Sequence, residues 1–177
     1  MHPQPLSPSD LSSEGQTAYQ AGKFLEAAAA FEQAARAYRA SGDEAAAAEA
    51  ANNSSVAYLQ AGDAQKAFEM AENTHLVFAS KGDLTRQGMA LANQAAALEG
   101  LKRFKEALEL YRQSSEAFKS SGDHELRADQ RVRRRRDPDC AAGRKLRHDH
   151  GQGGRRWKRR TRWLGFGRRS AGQGRRR

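Results

Sequence analysis

Through the first two thirds of the chain, apolar residues recur every three or four positions rather than every second one. Ala57, Tyr58 and Ala61, then Ala67, Phe68, Ala71 and Phe78, stand at spacings of three, four and seven. That spacing gathers side chains on one face of an α-helix. It predicts helices near residues 8–21, 24–41, 44–61, 64–80, 84–100 and 104–121. Start and stop signals bound them. In Ser7-Pro8-Ser9-Asp10, Ser7 suits the N-cap, Pro8 the first helical position, and Asp10 a side chain reaching back to the cap. Gly22 and Gly62 suit the left-handed residue that ends a first helix. In Gly42-Asp43, Gly82-Asp83 and Gly122-Asp123, the glycine closes a second helix and the aspartate caps the next.

The same pattern repeats when the chain is shifted by 40 residues. Tyr38 falls on Phe78 and Phe118, and Ala27 on Ala67 and Ala107. Phe24 falls on Ala64 and Phe104, Phe31 on Ala71 and Tyr111, and Gly22 on Gly62 and Lys102. Three units follow: 8–43, 44–83 and 84–123. A single antiparallel helix pair is too thin to bury its own apolar stripe, so stacked pairs must supply the core. The alanines at 27, 67 and 107 fit places where helix backbones come close.

At these residues the chain resembles the tetratricopeptide repeat family. The match lies in Gly22 and Gly62, in Phe24-Leu-Glu-Ala27 and Phe104-Lys-Glu-Ala107, and in the aromatics Phe31 and Tyr111 four positions on. It covers residues 8–123. The family unit is about 34 residues; the 40-residue unit is similar to the long-helix members such as kinesin light chains. Unit two departs from the pattern with Ala64 and Ala71, and no unit carries the family's late proline. The resemblance implies an all-α, right-handed α-solenoid whose first helices line a concave groove for a partner segment. It also implies that an asparagine partway along the first helix contacts the partner's backbone. Asn53 and Asn93 match that position, with Ser13 in unit one. Asn52, Val56, Leu59 and Gln60 in unit two, Met89, Ala96 and Glu99 in unit three, and Tyr19 in unit one are the other groove candidates. Tyr19 also reads as a packing residue, and either asparagine as a solvated or inter-helix one.

Charge divides the chain. Residues 1–123 hold eleven Lys and Arg against sixteen Asp and Glu, and residues 124–177 hold twenty against five. The net charge of +10 and the pI of about 10.2 therefore describe the end of the chain and not the repeats. Residues 124–132 begin like a fourth first helix, with Leu126 and Ala128. The register then fails, with Pro138 where Leu98 stood and Gly151 where Tyr111 stood. Residues 133–177 carry too little apolar surface to offset ordering entropy and are expected to be disordered, as is the N-terminus 1–7.

That basic segment supports a second functional reading. Arg133, Arg134, Arg135 and Arg136, then Arg155, Arg156, Trp157, Lys158, Arg159, Arg160, Arg162 and Trp163, pair phosphate-binding charges with stacking rings. This is the composition of nonspecific, salt-sensitive nucleic-acid binding. Attachment to anionic membranes or acidic proteins draws on the same charge. A third reading is a fragment of a larger repeat-containing regulator. Residues 124–177 hold eighteen Arg but two Lys, both tryptophans and half the glycines, as a shifted reading frame of a G+C-rich gene would.

Catalytic chemistry is not legible. There is no Gly-rich phosphate loop and no paired-cysteine motif. Cys140 with His148, Asp149 and His150 fits no common zinc spacing, so neither metal nor cofactor is expected, and the chain does not read as an enzyme. One cysteine excludes an intrachain disulfide, Met1–Asp10 lacks the features of a secretory leader, and no apolar run approaches membrane-spanning length. The expectation is a cytoplasmic interaction scaffold that binds proteins or peptides, with self-association through an uncapped third unit.

Overall fold

The structure, a computed structural model, describes residues 6–122. Those residues form seven helices and no strand: α1 Pro8–Gln20, α2 Phe24–Ala40, α3 Glu44–Ala61, α4 Ala64–Ala71, α5 Thr74–Ser80, α6 Leu84–Gly100 and α7 Phe104–Ser120. The expected starts and stops hold to within a residue. Residues 1–5 and everything expected from residue 123 onward lie outside the described residues. That includes the Asp123 cap, the incomplete fourth unit 124–132 and the basic segment 133–177.

The helix ends explain the regularity. Ser7 accepts from the Asp10 amide at 3.1 Å, and the Asp10 carboxylate accepts from the Ser7 amide at 3.2 Å. This reciprocal pair satisfies two of the open donors of α1. Five turns share one geometry. At the first, the Gly22 amide donates to Tyr19 O and the Lys23 amide to Ala18 O, at 3.0 and 2.9 Å. The same pair of bonds recurs at Gly42-Asp43, Gly62-Asp63, Gly82-Asp83 and Lys102-Arg103. These turns need a left-handed residue, which glycine supplies without a Cβ penalty. Lys102 adopts it at φ 63° despite its side chain. The true spacing of the turn is thus 20 residues, half the sequence repeat. Asp43, Asp63 and Asp83 each cap the following helix, from Ala46, Lys66 and Arg86 amides at 3.0, 3.0 and 2.9 Å. Asp63 makes a cap that the 40-residue comparison did not single out.

One expected helix is corrected. The stretch 64–80 is interrupted at Glu72–Asn73, where Asn73 takes φ 61°. The cause is a difference in packing. In unit one the ring of Phe31 lies on Gly15, and in unit three Tyr111 packs with Ala95. Their counterparts in unit two are Ala71 and Ser55, both fully buried, so no ring stands at that position between α4 and α3. The helix breaks, and Thr74 closes the gap with its hydroxyl 2.8 Å from Ala71 O and 3.3 Å from Asn52 Oδ1.

Most helices pack against their chain neighbours; α3 also touches α5 and α6, and α4 also touches α6. The core is largely alanine. Ala27, Ala28 and Phe31 of α2 meet Ala57 and Tyr58 of α3, Ala67 of α4 and Ala97 of α6. Small residues let backbones approach closely, and two buried hydroxyls use that proximity. Ser54 donates to Ala28 O across α3–α2 at 3.0 Å, and Ser114 donates to Gly88 O across α7–α6 at 2.7 Å. Each ties a side chain to a neighbouring helix's main chain in a site where an unmade bond is costly.

Candidate functional site

The expected groove residues lie mainly on α3 and α6, which are in contact. On α3, Glu49, Asn53 and Gln60 follow at spacings of four and seven and share a face. On α6, Arg86, Met89 and Asn93 do the same at three and four. An ion pair joins the two stripes at one end, Arg86 Nη1 to Glu49 Oε2 at 3.4 Å. Asn53 stands one turn beyond Glu49, and Asn93 two turns beyond Arg86. Asn53, Gln60 and Met89 are half-buried. Asn93 is 3% exposed.

Arg86 is held in place. Its Nε donates to Asp83 Oδ2 at 2.6 Å, and its guanidinium lies 5.5 Å from the centroid of the Phe78 ring. The Arg86 amide bonding to the Asp83 carboxylate, followed by the guanidinium beside it, pulls that carboxyl below its ordinary range.

Several buried polar atoms in these helices have no partner. Asn93 Oδ1 and Gln60 Nε2 are buried and make no hydrogen bond; the same holds for Ser55 Oγ, Gln94 Oε1 and His75 Nδ1. These five belong to α3, α5 and α6. A buried polar atom with no partner is costly, and native proteins leave few of them without water or a ligand.

Other expected residues are placed elsewhere. Val56 is fully buried and Ala96 is 4% exposed, so both pack inside the fold. Asn52 is also buried, with its side chain beside Thr74 of α5 rather than toward a groove. The reason is common to all three: α3 and α6 are each surrounded by several helices, so their apolar coverage exceeds a single stripe. Leu59 and Tyr19 are half-buried and pack against the core around Phe31 and Tyr58, and Tyr19 meets Phe24 edge-on at 5.3 Å. Glu99 accepts from the Tyr111 hydroxyl at 3.1 Å. Asn53, Gln60 and Met89 keep partial exposure, whereas Asn93 is buried.

The sequence reading missed Glu49 and Arg86. They occupy different positions of the repeat, so a 40-residue shift does not align them; only the packing offset of α6 on α3 brings them together. Arg133 to Arg136, Arg155 to Trp163, and Cys140 with His148, Asp149 and His150 lie outside the described residues. Among the described residues, no group of three His, Cys, Asp or Glu is placed to hold a metal ion, and no helix is long and apolar enough to cross a membrane. Comparison with protein-family models, with curated proteins and with solved structures gives no match.

Proposed function

We propose that this chain is a protein-interaction scaffold, a tetratricopeptide-type α-solenoid of three helix pairs that takes an extended segment of a partner against α3 and α6. The carrying observation is Asn93. It is buried, its Oδ1 has no partner, and it lies in repeat register with Asn53 on the neighbouring helix. The recurrence of one turn geometry through five helix junctions supports the repeat architecture. The assignment to the tetratricopeptide type rests on the chain's own repeat and on its resemblance to that family.

A peptide-display selection on the full chain tests this reading. Selected peptides are expected to lose at least tenfold in affinity on Asn53→Ala or Asn93→Ala, and to keep most of it when salt is raised from low to physiological. Peptides that bind these variants as well as the parent chain would remove α3 and α6 as the binding surface.

A second reading is favoured by the charge division: twenty Lys and Arg against five acids in residues 124–177. In it the basic segment binds nucleic acid without sequence preference. Affinity would then fall steeply with salt, in proportion to the phosphates neutralised, and would be indifferent to Asn53 and Asn93.

A further inference from the structure

We propose that the break at Glu72–Asn73 is a hinge that sets the spacing between α3 and α6, and with it the opening of the surface carrying Asn53 and Asn93. This rests on reading that surface as the binding face, and concerns how it is regulated.

The first argument is positional. α4 and α5 together fill the same stretch of unit two that α2 and α7 fill as unbroken helices in units one and three. α4 and α5 each contact both α3 and α6. They are therefore two separate struts between the walls of the candidate face. Changing the angle between them cannot leave the spacing of those walls unchanged.

The second argument concerns what holds the break. Asn73 sits in the left-handed region and makes no side-chain cap for α5. The local anchor is the Thr74 hydroxyl between Ala71 O and Asn52 Oδ1. Asn52 is the chain neighbour of Asn53, so the anchor joins the hinge directly to the binding face. Across that face, the side chains of α3 and α6 are linked by the Glu49–Arg86 pair. At 3.4 Å, with both side chains about half exposed, such a pair resists little movement.

The third argument identifies the element that unit two lacks. Gly15–Phe31 and Ala95–Tyr111 each place a ring between first and second helix; Ser55–Ala71 does not, and the Ser55 hydroxyl is left buried without a partner. Restoring the ring should restore the continuous helix.

The test uses the full chain with Cys140→Ser and spin labels at Ala61→Cys, the last residue of α3, and Lys102→Cys, in the turn that follows α6. Two variants straighten the hinge by different routes. Ser55→Gly with Ala71→Phe rebuilds the unit-one pair, and Asn73→Ala removes the residue that tolerates the left-handed turn. Amide exchange across residues 72–75 is expected to slow at least tenfold, and the label-to-label distance to shift and narrow. Exchange that stays fast in both variants would overturn the proposal, and so would slowed exchange with an unchanged distance. If the double variant does not fold, Asn73→Ala decides alone. The distance measurement needs no bound partner. A shifted distance alongside peptide binding indifferent to Asn53→Ala would keep the hinge and reject the binding face.

Discussion

The ring of Phe31 lies directly on the backbone of Gly15, so close that a Cβ there would stand 2.8 Å from the ring's Cδ1. Gly88 and Phe118 repeat the relationship in unit three, where a Cβ would stand 2.7 Å from the ring's Cε1. In both, a helical glycine gives up intrinsic helix stability so that an aromatic ring can seat against the opposing helix.

Gly15→Ala is therefore expected to destabilise the fold. Alanine gains about 1 kcal/mol of helix propensity over glycine, but overpacking a tight contact costs about 1–3 kcal/mol. The ring is fully buried, so making room for a methyl must displace its packed neighbours. The net loss should be about 1 kcal/mol, read as a lowered urea midpoint. Adding Phe31→Leu should recover part of it, because the smaller side chain makes room for the methyl. A stabilised Gly15→Ala protein would mean that the ring relaxes away.

Two adjacent serines on α3 should respond in opposite directions. Both are fully buried. Ser54 donates to Ala28 O, whereas the Ser55 hydroxyl has no partner. Ser54→Ala removes a made bond and should cost about 1 kcal/mol. Ser55→Ala removes an unsatisfied polar group from an apolar site and should stabilise by about 1 kcal/mol. Thermal melts of the two single variants check the contrast; equal losses would show that Ser55 is satisfied by a bound water.

Lys102 is the one turn residue at these five helix junctions that takes the left-handed conformation without being glycine. The conformation costs an ordinary L-residue about 1–2 kcal/mol, partly offset by the greater unfolded-state freedom of glycine. Lys102→Gly should raise stability by about 1 kcal/mol, a few degrees in midpoint temperature. Gly62→Ala, which imposes the same penalty where glycine now stands at φ 87°, should lower it by a similar amount.

The helix boundaries were legible because each is written locally. Ser7-Pro8-Ser9-Asp10 specifies its own capping box, and each Gly-Asp pair specifies a turn and the next cap. The break at Asn73 was not legible. Residues 64–80 keep helical spacing throughout, and the cause lies in Ser55 and Ala71, small residues on different helices whose opposition exists only after packing. Repeat register aligned Asn53 with Asn93, which stand on two helices that touch. The burial of Val56 and Ala96 was not legible, because periodicity identifies one apolar stripe whereas α3 and α6 are covered on several sides. Glu49 and Arg86 were invisible because their pairing depends on the offset between two units.

The last prediction concerns pH. His75, on α5, corresponds in the repeat to Ala35 and Ser115, both buried. Burial pushes its pKa below the ordinary 6.5, and its Nδ1 has no partner. The folded state therefore favours the neutral ring, and the unfolded chain takes up a proton first as pH falls. The stability tied to neutral His75 is fully present above about 6.5, the unfolded value, and is lost as pH falls from there toward the folded pKa. Asp83, also held below its ordinary value, contributes in the same direction but in a lower window, beneath the unfolded carboxylate value of about 3.9. The two are separable by titration. Between pH 7.5 and 5 the urea midpoint should fall, and His75→Gln should flatten that fall while leaving the acid limb below pH 4 in place. Asp83→Asn should do the reverse, flattening the acid limb and leaving the dependence near pH 6. A midpoint in the parent chain that does not change between pH 7.5 and 5 would show that His75 gains solvent or a partner when it protonates.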